Sequence, residues 1–395
     1  MGSSDGTSLS PTVVLRVQYS LYLFVGIVAT MLLRGFLTLL SHLPLIKKGC
    51  EYAGKGDANF CVGEVLAYRV SFSLSLFFFL HLLSVSDLTC CIDTESRVEF
   101  QRRFFFAKTI LLGLLFLATM WVPNTFFAYY AYTCVFASGL FLLINVVFLI
   151  DFSYQWTEEW GERMEQNSKW LWYLLIVAVL SYIAGIAIAA MSFVVFVPNV
   201  NCNYNAFAIL SVLISAVVYT VLSIYLPHGS IVSSGIVFAY TAGVMFVTLR
   251  MGDDANCNTI AIPPNEAGSL KQIIIGSIVS GFTLVYSVVS TGGSSKGFGH
   301  VGDDDVEEDP EESGHLSSYM FFYTVMMLGS MYLAMLSTGW HVSGMGEDKM
   351  KSSINIAYWV RSGTVWSAVL LYLWSLLAPY YCCRDRDFGI AVDDW

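Results

Sequence analysis

The chain alternates between long apolar runs and short polar stretches. Ten runs are long enough to cross a bilayer, at residues 13–34, 64–86, 104–122, 127–151, 169–195, 204–226, 231–250, 270–291, 318–338 and 356–380. Inside each run the apolar residues are continuous rather than alternating, which predicts helices and argues against a β-barrel. Proline and glycine fall mostly between runs, as at Pro123, Pro198, Pro227-His228-Gly229 and Pro263-Pro264. The pattern predicts an all-α polytopic membrane protein of about ten transmembrane helices, built as a single integral-membrane domain over residues 1–395. The first run lacks a basic leader and a clear small-residue cleavage site, and is read as a retained span.

The fourth run is longer than a bilayer requires. From Asn124 to Trp160 there is no proline and only one glycine, Gly139. One helix of that length would measure roughly 55 Å, against a hydrocarbon core of about 30 Å. It must tilt strongly or project from the membrane. Asp151 lies within this stretch, where an ionisable group faces protein or water and takes a partner. Lys108, early in the third run, is the candidate partner.

Composition narrows the function. Hydrophobic residues make up 56% of the chain and charged residues only 13%, which excludes a soluble enzyme, a nucleic-acid binder and a disordered protein. The net charge of −10 is mostly local, because residues 303–312 hold eight acids and no base. Residues 292–316 are read as an acidic flexible loop, either simply solvated or a docking site for basic partners. Basic residues do not orient the chain: with loops grouped alternately, nine Lys/Arg fall on the N-terminal side and eight on the other. Cysteines are more informative. Cys50, Cys61, Cys202 and Cys257 fall on the second side as candidate disulfide cysteines, with three pairings open. Cys90, Cys91, Cys382 and Cys383 lie beside span ends on the N-terminal side, as candidate palmitoylation sites. Both signals put the two termini and the acidic loop in the cytosol, in an endomembrane or the plasma membrane.

Catalytic patterns are absent or out of context. There is no H-E-x-x-H, Walker A loop or Cys/His zinc spacing. A G-x-G-x-x-G at residues 297–302 and a G-x-S-x-G at residues 293–297 lie in a Gly/Ser-rich stretch without the strand and helix such motifs need. No catalytic residue, metal ligand or cofactor is therefore expected, and the chain is read as not an enzyme. His81, near the end of the second run, is either a proton relay or a satisfied interfacial residue. Five charges lie in or at the ends of the runs: Glu64, Arg69, Lys108, Asp151 and Arg361. They are either a polar path for lipid headgroups or structural charges that snorkel or pair.

Several blocks carry a family resemblance. Cys61-Val62-Gly63, Ala67-Tyr68-Arg69-Val70-Ser71-Phe72 and Phe77-Phe78 resemble the second-span signature of the serine incorporator family. Residues 148–160 (FLIDFSYQWTEEW) resemble its apolar-Ile-Asp-Phe segment with two tryptophans. Residues 318–340 are similar to its ninth span, and residues 359–388 to its last span with Leu-Tyr-x-Trp and Ala-Pro. The chain departs from the family where Phe100-Gln101-Arg102-Arg103 replaces Ile-His-Asn-Gly, where Asn145 replaces Gln, and where Arg361 replaces Lys. The resemblance implies two helical bundles joined by a long tilted fourth helix, with lipid-lined grooves. It also implies support of serine incorporation into phosphatidylserine and sphingolipids, ATP-independent phospholipid movement between leaflets, and homo-oligomers in some members.

The leading expectation is a lipid-handling protein whose partners are membrane phospholipids and sphingolipids. A carrier for serine or another small polar solute is the first alternative. The long unbroken fourth helix and the missing internal repeat weigh against its midplane site. A scaffold for serine-lipid biosynthetic enzymes is the second alternative. No nucleic-acid partner is expected.

Overall fold

The computed structural model describes residues 11–35, 58–86, 94–199, 201–226, 229–252, 256–260, 316–338, 340 and 347–381. All regular elements among them are helices: α1 (Pro11–Gly35), α2 (Ala58–Val85), α3 (Thr94–Arg102), α4 (Phe105–Thr119), α5 (Asn124–Gln166), α6 (Lys169–Phe196), α7 (Asn203–Tyr225), α8 (Ile231–Leu249), α9 (Leu316–Thr338) and α10 (Glu347–Tyr381). Seven of the described helices are long and apolar enough to cross a membrane, and α1 and α4 add shorter apolar stretches. The protein is an all-α, multi-pass membrane protein.

The helices follow the apolar runs with two differences of substance. The third run, 104–122, gives a helix of only 15 residues, because the chain turns at Met120–Val122 ahead of Pro123. The short helix α3 has no counterpart among the runs. The eighth run, 270–291, the acidic loop up to residue 315 and the paired cysteines at 90–91 and 382–383 lie outside the described residues.

The chain divides into two compact units, one of Met1–Ser138 with Gly268–Gly339, the other of Gly139–Ala267 with Trp340–Trp395. The boundary falls inside α5, a continuous helix of 43 residues, which at about 1.5 Å per residue extends for roughly 65 Å.

In the first unit α2 packs chiefly on α9, with α1 and α4 beside it. Its core is aromatic. Tyr19, Phe77, Phe78 and Tyr323 are fully enclosed, and their rings meet at tilted or edge-to-face angles. Ser71 ties α2 to its neighbours, sharing a hydrogen bond with Tyr130 at 2.9 Å and donating to the Ser330 carbonyl at 2.7 Å.

In the second unit α8 is central, packed on α6, α7 and α10. Small residues make the contacts possible. A Cβ on Gly185 would stand 2.4 Å from the Phe238 ring, so α6 and α8 approach as closely as they do only with glycine there. The polar groups inside are mostly hydroxyls: Ser234 bridges Ser223 at 2.7 Å and Tyr372 at 2.9 Å, and Tyr182 meets Thr220 at 2.6 Å.

Candidate functional site

Lys108 sits in the first turn of α4, with only 4% of its surface exposed. A cation there faces the positive end of its own helix. Its ammonium is held from outside that helix. It donates to the Phe100 carbonyl at 2.7 Å, the Gln101 carbonyl at 2.9 Å and the Tyr19 hydroxyl at 2.8 Å. Both carbonyls belong to the last turn of α3, which has no intrahelical donor for them. Lys108 therefore caps α3. An ammonium has three hydrogens, and all three are used within the first unit. These three acceptors are neutral, where the sequence suggested the Asp151 carboxylate.

Arg69 plays the same part elsewhere. It lies on α2 and is 2% exposed. Its guanidinium donates to the Thr119 carbonyl and, at 3.2 Å, to the Val122 carbonyl, and lies 4.8 Å from the centre of the Phe127 ring. These carbonyls close the C-terminal end of α4. A third cation, Arg97 on α3, donates to the Ser86 carbonyl at 3.2 Å, just beyond the end of α2. The three cations form a ring: α2 caps α4, α4 caps α3, and α3 caps α2.

The ring is braced by Gln101 and surrounded by aromatic residues. The Gln101 side chain accepts from Tyr323 at 2.8 Å and donates to Ser84 at 2.8 Å. His81 lies beside it, with Nδ1 placed 2.9 Å from the Phe77 carbonyl. That acceptor assigns the hydrogen to Nδ1. Nε2 is buried without a hydrogen-bond partner among the described residues.

The second unit closes its helix ends with neutral amides. Asn205 donates to the Phe196 carbonyl at 2.9 Å, ending α6, and to the Cys257 carbonyl at 3.2 Å. Asn258 donates to the Arg250 and Gly252 carbonyls, each at 2.9 Å, ending α8. A disulfide joins Cys202 to Cys257 between these caps. Of the other candidates for bridging, Cys50 and the side chain of Cys61 lie outside the described residues, as does the side chain of Glu64. A buried cation of this unit, Arg361, has its guanidinium 4.9 Å from the centre of the Trp340 ring and 3.3 Å from Met251 Sδ.

Asp151 differs from the buried cations. It is half-buried on α5 and accepts from Gln155, one turn on, with both oxygens at 3.3 Å. Among the described residues no group of three or more His, Cys, Asp or Glu could hold a metal ion. Sequence reasoning picked out Arg69, Lys108, Asp151 and Arg361, but missed Arg97, Gln101, Asn205 and Asn258. The asparagines carried no local signal, since Asn205 reaches back nine residues to Phe196 and Asn258 eight to Arg250.

Comparison with known proteins places the fold in a family. The family model described as Serine incorporator (Serinc) matches residues 3–317 and 294–386. A "Probable serine incorporator" of Nematostella vectensis is 28% identical over 423 residues, covering 95% of this chain and 91% of the relative. "Serine incorporator 3" of Mus musculus is 26% identical over 440 residues, covering 95% and 92%. A "Probable serine incorporator" of Dictyostelium discoideum is 28% identical over 343 residues, covering 81% and 79%. With a family match along nearly all its length, and multi-pass apolar helices to go with it, this chain belongs to the serine incorporator family.

Proposed function

We propose that this protein moves phospholipids between the leaflets of its membrane without nucleotide, and thereby supports the supply of serine-derived lipids such as phosphatidylserine and sphingolipids. The observation that carries the proposal is the contrast between Asp151 and the cations. Arg69 and Lys108 are spent on helix ends, and Arg361 is buried. Asp151 stays half-open on an apolar helix. A headgroup crossing a bilayer needs polar contacts while its tails remain in lipid. A carboxylate partly exposed on an apolar helix places a negative charge where the ammonium of a serine or ethanolamine headgroup would pass. The name borne by the relatives, serine incorporator, fits a protein that works on the supply side of such lipids.

The test is reconstitution into sealed liposomes with a fluorescent phospholipid in both leaflets and an impermeant quencher outside. Rapid loss of signal well beyond that of the outer leaflet is expected, and Asp151→Leu should slow it several-fold. Loss confined to the outer leaflet, with folded protein, would reject lipid movement. Serine uptake and co-purification of serine-lipid enzymes would then be the next measurements.

A further inference from the structure

The short helix α3 is built with its polar side inward. Arg97 and Gln101, four residues apart, are buried against the bundle. The outward positions are Ser96, Glu99, Phe100 and Arg103, and the next residue, Phe104, is 64% exposed. Glu99 and Arg103 neutralise one another across 2.6 Å. The Phe100 ring has one side 4.7 Å from the Lys108 ammonium and is otherwise 45% exposed.

Phe104 also holds an unfavourable backbone. Its φ is 63°, in the left-handed region, at the N-terminal boundary of α4. A bulky residue is rarely found there, and glycine would adopt it freely. Strain of this kind persists where something compensates for it, yet the Phe104 ring is largely outside the protein.

Continuity identifies what it faces. Phe106, Ile110, Leu114 and Leu117 form an exposed apolar stripe along α4, one of the apolar helices of this membrane protein. Phe100 and Phe104 extend that stripe back onto α3. We propose that α3 lies in the interfacial layer of the bilayer, with the Phe100 and Phe104 rings inserted at the boundary between headgroups and acyl chains. The partner is the lipid surface itself. Because Glu99 neutralises Arg103, zwitterionic lipid is sufficient. The arrangement matches that of an amphipathic helix lying in the membrane plane. It requires that the chain be in a membrane, and does not require that it move lipid between leaflets.

The experiment places a benzoylphenylalanine photocrosslinker, one position at a time, at Phe100, Phe104 and the outward polar Ser96 of the full chain. The protein is reconstituted in phosphatidylcholine vesicles, illuminated and examined by mass spectrometry for lipid adducts. Positions 100 and 104 should give several-fold more lipid adduct than position 96. Equal yields at all three, or adducts at 100 and 104 to a second protein chain, would overturn the proposal. Phe104→Gly serves as a second measurement. It should leave thermal stability in detergent unchanged or raised, and lower the lipid adduct at position 100. A loss of stability in detergent would mean that the ring serves the protein interior, and would also overturn the proposal.

Discussion

The two units solve one problem with different chemistry. A helix end buried in protein or in the hydrocarbon core leaves carbonyls that water does not reach. The first unit satisfies them with cations: Arg69 for α4, Lys108 for α3 and Arg97 for α2. The second uses asparagine amides, Asn205 for α6 and Asn258 for α8, beside a disulfide. Charged donors make stronger hydrogen bonds, but cost more to desolvate and leave more behind when a partner is lost. A charge in a span is therefore not by itself a sign of a transport path. The side-chain partners decide, and here two of the five suspected charges are spent on backbone.

The comparison can be broken by mutation, and the largest effect should come from Arg69. Arg69→Met removes donors to two carbonyls and should cost about 3 kcal/mol in detergent-solubilised thermal unfolding, by the usual value of charge-assisted bonds. Arg69→Lys should recover only part, since an ammonium lacks the planar fork of a guanidinium. Lys108→Met should cost about 2 kcal/mol and loosen α3, read as faster hydrogen exchange over residues 94–102. Asn258→Ala, in the neutral set, should cost about 1 kcal/mol. If it equals Arg69→Met, the distinction between charged and neutral caps fails. The smallest effect sharpens the account of Lys108. In a double-mutant cycle, Lys108→Met and Asp151→Asn should be additive within about 0.5 kcal/mol. A larger coupling would restore the ion pair that the sequence suggested.

Packing offers a parallel test inside the second unit. Gly185→Val would drive a side chain into the Phe238 ring. It should destabilise by about 1–3 kcal/mol, the usual range for overpacking, and detergent melting would show it.

The spans were readable in the sequence because continuous apolar residues have few other places to go. The length of α5 was readable for the same reason, with Pro123 marking its start. What escaped was α3. Its residues Glu95, Arg97, Glu99 and Arg102 read as a polar loop, because its buried face carries Arg97 and Gln101 rather than apolar residues. The partner of Lys108 escaped for a related reason. Sequence reasoning looks for an opposite charge, and a backbone carbonyl has no letter of its own. The pairing of Cys202 with Cys257 was one of three open choices, and only the arrangement of the α6–α7 and post-α8 segments narrows it.

The ring of caps among α2, α3 and α4 bears on how the protein is made. Each helix supplies the donor that the next one lacks, and the third returns to the first. During synthesis α2 enters the membrane with its arginine before α4 exists to receive it. Until α4 follows, the Arg69 guanidinium lacks the Thr119 and Val122 carbonyls that receive it in the finished bundle. Two of the three caps are thus completed together, by the last of the three helices to arrive, rather than one by one.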